Sequence, residues 1–267
     1  MNKANHIRIS MQENAKQRGF IMMRNLMLSA AFFVLVVPAF ATELPDDVDA
    51  RKILQRALNA AGGERALARL KGPTLWMEKG MFYGMGEGQP FVAQYATKWP
   101  DWYREEIEGA FVITANDDSV WVSSANGVRV LEGDLLKERI GQIKVNWAMM
   151  LFPLTDRAYK LSKIDGIEVD GRATVGLKVS HSDHRDVKFY FDKTSYRIAK
   201  CETTMIVPEH GTEPVLAEWF CEAHGSFVGG LPSKIKLIVN KKLYVETETV
   251  AVKVAATVDP GFFKVPK

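Results

Sequence analysis

Apolar residues recur with a helical period in DARKILQRALNAAGGERALARL, residues 49–70. Ile53, Ala57, Leu58 and Ala61 form one stripe, and Arg51, Lys52, Gln55, Arg56 and Asn59 fill the other side. Gly62 and Gly63 end the helix, because glycine takes the left-handed conformation a helix C-terminus often needs. Leu67 and Leu70 suggest one further short turn. From Pro73 onward the period drops to that of strands, expected over 74–83, 91–99, 102–108, 111–115, 120–123 and 128–131. Pro100-Asp101 reads as a tight turn, and Asn126-Gly127 is the strongest hairpin signal in the chain. Residues 133–154 break the pattern. Asp134 can cap a second helix running from Leu135 toward Met150, and Pro153 closes it. Strands resume over 159–164, 173–180, 186–191, 197–206, 215–223, 234–239 and 243–253, with short turns between them. The expected fold is mainly β (α+β). An antiparallel meander of ten to twelve strands curves into an incomplete barrel, with one amphipathic helix laid against it.

The N-terminus changes how composition is read. Residues 23–41, MRNLMLSAAFFVLVVPAFA, carry Arg24, a short apolar run and Ala39-Phe40-Ala41, the pattern of a secretory signal with its cleavage site. The polar residues before Met22-Met23 read as an extension ahead of the natural start. Residues 1–41 hold five of the 35 Lys and Arg residues and one of the 32 Asp and Glu residues. The remaining 226 residues are therefore near neutral, and the sequence pI of about 8.7 gives no argument for nucleic acid. That length suits a single domain over 42–267, and a hydrophobic content of 47% supplies a core. No later stretch reaches the ~18 consecutive apolar residues of a membrane span. The expected mature protein is periplasmic.

Candidate chemistry is sparse. His181-Ser-Asp183-His184 has metal-ligand residue types, but its spacing matches no standard zinc site and suits a solvated turn. No nucleophile elbow, phosphate loop or C-x-x-C is present, and neither a metal nor a cofactor is expected. Of Glu105, Glu106 and Glu108, the last two share a strand face and Glu105 points away; a solvated face is the expectation. Aromatic and methionine residues are more informative. Trp76, Phe82, Phe91, Tyr95, Trp102, Trp147, Met150 and Phe152 lie largely in the first half, where a curved sheet could enclose an apolar, adaptable space.

The order of features resembles the LolA-type periplasmic lipoprotein carriers and outer-membrane lipoprotein-sorting proteins. It rests on the signal sequence, the helix ending in AAGG at 60–63, Leu151-Phe-Pro-Leu154, Val169-Asp-Gly-Arg172 and the segment YFDKTSYRIAK at 190–200. Leu231-Pro-Ser-Lys-Ile235 and the terminal run from Asp259 to Pro266 complete it. The resemblance implies a half-open β-barrel whose helices, at 49–61 and 134–152, act as plug or lid over a cavity for lipid or the acyl chains of lipoproteins. It also implies a monomer without catalytic residues that touches membrane or envelope proteins transiently. An envelope enzyme using residues 181–184, or a structural protein whose side chains fill its own interior, are the alternatives.

Two cysteines remain. If the hairpin joining strands 197–206 and 215–223 is centred on Gly211, Cys201 faces Cys221, as Pro208 faces Pro214. Export then favours a disulfide closing 19 intervening residues, for about 3 kcal/mol in the chain-entropy model. Cleavage after Ala41 is the expected processing. N-terminal sequencing of exported protein should begin at Thr42, and a mature form retaining residues 24–41 would defeat the reading.

Overall fold

The structure, a computed structural model, describes residues 47–117, 119–207, 210–225 and 230–264. The expected signal sequence and its cleavage point lie outside these residues, as do Pro208 and the last three residues. Helix α1 (Val48–Ala60) opens the described fold. The Asp47 carboxylate caps it, accepting from the backbone N–H of Asp49 at 2.9 Å and of Ala50 at 3.3 Å. Its other oxygen accepts the N–H of Lys163 at 2.9 Å, which pins the helix start to β7 (Lys160–Ile164). That bond, with the two capping bonds, holds the Asp47 carboxyl below the usual carboxylate range. Arg51 adds a second tie, donating to the carbonyls of Leu154 and Tyr159 at 2.8 and 3.0 Å. The helix buries Ala50, Ile53, Leu54, Ala57 and Leu58 and ends at Gly62 and Gly63, whose φ of 101° and 88° few other residues adopt. A short α2 (Glu64–Leu67) and a 3-10 turn follow, burying Leu67 and Leu70.

Six strands come next: β1 (Thr74–Phe82), β2 (Gln89–Lys98), β3 (Trp102–Ile107), β4 (Phe111–Asn116), β5 (Ser119–Ser124) and β6 (Gly127–Val130). Helix α3 (Gly133–Met149) interrupts the meander before β7. The second run is β8 (Glu168–Val169), β9 (Arg172–His181), β10 (His184–Asp192), β11 (Ile198–Met205), β12 (Val215–His224), β13 (Pro232–Val239) and β14 (Lys242–Val254). All pairings are antiparallel. The order across the sheet is β6-β5-β4-β3-β2-β1-β14-β13-β12-β11-β10-β9-β7, with β8 attached to β9. The chain thus starts in the middle of the sheet and builds outward to the edge at β6. It crosses to the opposite edge at β7 and builds inward until β14 pairs with β1. The sheet is not closed: it is a curved half-open barrel with helices, as expected, and has fourteen strands rather than ten to twelve.

The concave face is covered by α1 over β7 and β9 and by α3 over β10, β11 and β5. The core between them includes Leu58, Trp147, Leu154, Leu177, Phe189 and Phe191. The convex face carries charge. Lys200 bridges Glu202 and Glu218 at 2.8 and 2.7 Å, and Lys188 reaches Glu202 at 3.1 Å. Among the described residues no helix is long and apolar enough to cross a membrane.

Three local expectations change. Asp134 sits inside the first turn of α3; Glu132 is the N-cap and makes no side-chain capping bond. The β5–β6 hairpin closes on Ala125-Asn126, because Ser124 pairs with Gly127, whose φ of 100° suits it to follow the turn. The third change concerns the cysteines. The β11–β12 hairpin is centred on His210, so Cys201 faces Trp219, while Cys221 faces Ile235 on the other side. The two cysteines are diagonal neighbours, about 7–8 Å apart between α-carbons in such a geometry, beyond the reach of a disulfide without backbone movement. Both thiols are free and buried. Burial pushes the Cys201 thiol up, and the Cys221 thiol up to about 12, so neither is a ready nucleophile. Unfolding exported protein in denaturant without reductant should expose two titratable thiols, and none would restore the staple.

Candidate functional site

Strand alternation decides what faces the inside. Trp76 and Glu78 of β1 stand opposite Tyr95 and Ala93 of β2 and opposite Val252 and Thr249 of β14. Tyr95 in turn faces Glu105 of β3. A bulge at Met77/Glu78 leaves Val250 without a partner in that ladder and restores the alternation beyond it. All these inward residues lie in the middle of the sheet, where α1 does not reach. There α3 stands off from the strands, and a cavity of about 860 Å³ opens between them. Ile235, Leu237 and Val252 form much of its apolar floor, and Met149 and Met150 of α3 face them. Its size falls within the range of small-molecule sites.

Three of the eight anticipated residues, Trp76, Tyr95 and Met150, line this cavity. Trp76 and Tyr95 stack with ring centroids 4.6 Å apart at an interplanar angle of 13°. The other five sit elsewhere. Trp147 and Phe152 are core residues packed edge-on against Trp99 at 5.3 and 5.5 Å, so these two anchor the apolar end of α3 while Met149 and Met150 beside them line the cavity. Trp102 packs on Phe263 near the chain end, Phe82 on Tyr244, and Phe91 lies over Gly80 at the far end of β1. A Cβ at Gly80 would run into the Phe91 ring at 2.7 Å, so glycine is what lets the ring settle there.

Two carboxyl groups in the cavity floor escaped the sequence reading. Glu78 accepts from the Tyr95 hydroxyl at 3.4 Å, and Glu105 from the Tyr103 hydroxyl at 3.0 Å. Glu105 does point away from Glu106, as alternation requires, but away from solvent, on the face of Tyr103 and Ile107. Glu106 lies on the convex side and pairs with Arg104 at 2.7 Å. Burial, then the charge of Glu105, pushes the Glu78 carboxyl up to about 7. Burial also raises Glu105, opposed by the Arg139 guanidinium of α3 and the Tyr103 hydroxyl. Tyr95 and Tyr103, raised chiefly by burial, stay protonated and act as donors. The signal was present in the sequence: Trp76 and Glu78, and Tyr103 and Glu105, are i, i+2 neighbours on faces otherwise aromatic or apolar.

At the other end of the cavity, Glu138 of α3 accepts the N–H of Ile206 at 2.8 Å and pairs with Arg185, fastening the helix to the strand ends. His181 and His184 stack at 5.4 Å beside Tyr159, and burial lowers the His184 imidazole. Among the described residues no group of three His, Cys, Asp or Glu could hold a metal ion.

No protein-family model matches the chain, and no curated protein matches it significantly. Solved structures do. A LolA superfamily protein from Nitrosomonas europaea matches with a TM-score of 0.54 at 11% identity, over 80% of this chain and 97% of the other. A candidate outer membrane lipoprotein-sorting protein domain from Vibrio parahaemolyticus gives 0.51 at 11% identity over the same shares, 80% and 97%. A DUF1329 family protein from Desulfovibrio piger gives 0.55 at 9% identity over 80% and 97%. At such identities the likeness is one of architecture: a half-open antiparallel barrel with helices on its concave side. The fold is LolA-like.

The Glu78 carboxyl has a testable consequence. Its native pKa of about 7 lies above the unfolded value of 4.5, so between these values the native state binds more protons. Its contribution to stability is therefore complete below about pH 4.5 and lost as pH rises through about 7. Glu78→Gln removes this linkage. From about pH 5 to about pH 8, the melting temperature of the native protein should fall relative to that of the variant. A pH-independent difference would mean that Glu78 titrates as in water.

Proposed function

We propose that this chain is an exported binding protein that holds lipid, or the acyl chain of a lipidated protein, in the cavity beneath α3. The observation that carries the reading is the cavity itself: about 860 Å³, walled in large part by aliphatic side chains and three methionines, Met149, Met150 and Met205, in the middle of the sheet. Methionine suits cargo of variable shape because its side chain is flexible and polarizable. The LolA-like architecture supports the same reading, since two of the proteins it resembles are described by the LolA superfamily and by lipoprotein sorting. The signal-like residues 23–41 support delivery to the periplasm. There a monomer would take up cargo and meet a membrane or envelope partner transiently. An apolar wall offers dispersion and exclusion of water, which bind an alkyl chain without selecting one length. Helix α3 is then the lid. It is tied at one end by the Trp147–Phe152 anchor and at the other by Glu138, with the cavity between these ties.

Titration with N-phenyl-1-naphthylamine, a neutral apolar dye whose fluorescence rises on leaving water, tests this. Saturable binding that dodecanol reverses is expected. Ile235→Glu places a charge in the floor and should weaken dye binding by roughly ten-fold or more, since an unpaired buried charge is costly. Leu216→Glu is the control, because Leu216 lies on the convex face and is 40% exposed; it should bind like the native protein. A native protein showing no saturable dye binding would overturn the reading.

A further inference from the structure

The cavity has a chemically distinct end. We propose that it is built for a single-chain amphiphile with a cationic ammonium head group, held by Glu78 and Glu105 against the faces of Trp76 and Tyr95, rather than for a fatty acid carboxylate. This deepens the acyl-binding reading and rests on it.

Three features of the site converge. The first is charge. From β1, β2, β3 and β14 the floor presents Glu78, Tyr95, Tyr103, Glu105 and Thr249; from the roof, Arg139 acts on Glu105. The other charged groups on α3 have partners: Glu138 pairs with Arg185, Lys137 with Asp134 at 3.9 Å, and Lys144 with Asp101 at 3.9 Å. Two carboxyl groups thus face one guanidinium, and above about pH 7, where Glu78 has released its proton, an anionic head group would add a third negative charge where water is scarce and repulsion strong. An ammonium would complete the balance.

The second feature is the π surface. Trp76 and Tyr95 are stacked, so each covers one face of the other and keeps one outer face beside the acids. Such faces attract cations within about 6 Å of a ring centroid, and desolvation strengthens the attraction. Aromatic faces are the recurrent means of recognising quaternary ammonium groups.

The third is layout. The polar end joins directly onto Ile235, Leu237, Val252, Met149 and Met150 within one cavity. One ligand can therefore place its head at Glu78 and its chain along the aliphatic wall. The hydroxyls of Tyr95 and Tyr103 donate to the acids and fix their positions in advance, so little ordering remains to be done when a ligand enters.

Displacement of bound N-phenyl-1-naphthylamine by dodecyltrimethylammonium, dodecanoate and dodecanol, each below its micelle concentration, separates the possibilities. The native protein should prefer the ammonium over the carboxylate by roughly thirty-fold. The Glu78→Gln, Glu105→Gln double variant should narrow that preference to within about three-fold, whereas Leu216→Glu on the convex face should keep it. Each single variant should fall between, which covers the case of a double variant that does not fold. If dodecanoate competes as well as the ammonium, or if the preference survives in the variants, the head-group assignment is overturned; competition by dodecanol then still upholds the acyl cavity. If neither the dye nor dodecanol binds, the acyl-cavity reading falls, and this inference with it.

Discussion

Pairing between β1 and β14 is the constraint on which the rest depends. It joins the first and last strands of the sheet along nearly their full length, from Thr74 opposite Val254 to Phe82 opposite Val245. Because the chain begins and ends its sheet at the centre, its two halves must grow toward opposite edges. One connection must then travel from the edge at β6 to the edge at β7. A right-twisted sheet curves, so a direct route between its edges runs over the concave side. That route is α3 and the turn after it. The helix is where it is because the topology leaves one long crossing, and that crossing needs its backbone hydrogen bonds satisfied internally.

The same crossing accounts for the cavity. Strands β7 and β9 receive α1, whose small residues Ala50 and Ala57 allow close approach and whose Leu54 and Leu58 fill the space beneath. Strands β1, β12, β13 and β14 receive only α3, held by an aromatic cluster at its C-terminal end and by Glu138 near its start. A helix fixed near both ends and over a curved surface stands off in the middle, and the inward side chains there are too short to bridge the gap: Thr74, Thr247, Thr249 and Val252. Close packing is the rule in protein interiors. Here short residues of β14, Thr247, Thr249 and Val252, set opposite Ile235, Glu78 and Trp76, maintain an opening.

Much of this was legible in the alternation of the sequence. The strands fall close to where period two predicts them, because one face is apolar throughout and a one-residue slip would expose it. Helix α1 follows from the 3.6 period, and α3 from the break in the strand pattern between Gly133 and Pro153. What escaped prediction shares a physical cause: the sequence does not say which of two faces is inward. Trp102 and Phe82 are as aromatic as Trp76, yet they meet Phe263 and Tyr244 rather than the cavity. Trp147 and Phe152 read as a lid because their segment is apolar, but Trp99, over forty positions earlier, binds them into the core. The cysteine register failed by two residues since glycine marks where a turn can bend and not where it is centred. Glu78 and Glu105 were overlooked because charge was read as a marker of solvent.

Those two acids are also where the fold departs from what stability alone would favour. A carboxyl on an apolar floor loses hydration, and the donors around it, Tyr95, Trp76 and Thr249 at Glu78 and Tyr103 at Glu105, return only part of it. A second acid on the neighbouring strands raises the cost, which is why Glu78 holds its proton until about pH 7. Aliphatic residues at both positions would pack against Val252 and Ile107 without that cost. Local conflicts of this kind, set within strands otherwise consistent in pattern and register, are expected where a site has a task. The conflict here is resolved by whatever supplies a positive charge. The Arg139 guanidinium of α3 does so in part. Since Arg139 belongs to α3, the charge balance of the floor depends on where that helix stands, and a cationic ligand and the helix would share the work of neutralising Glu105.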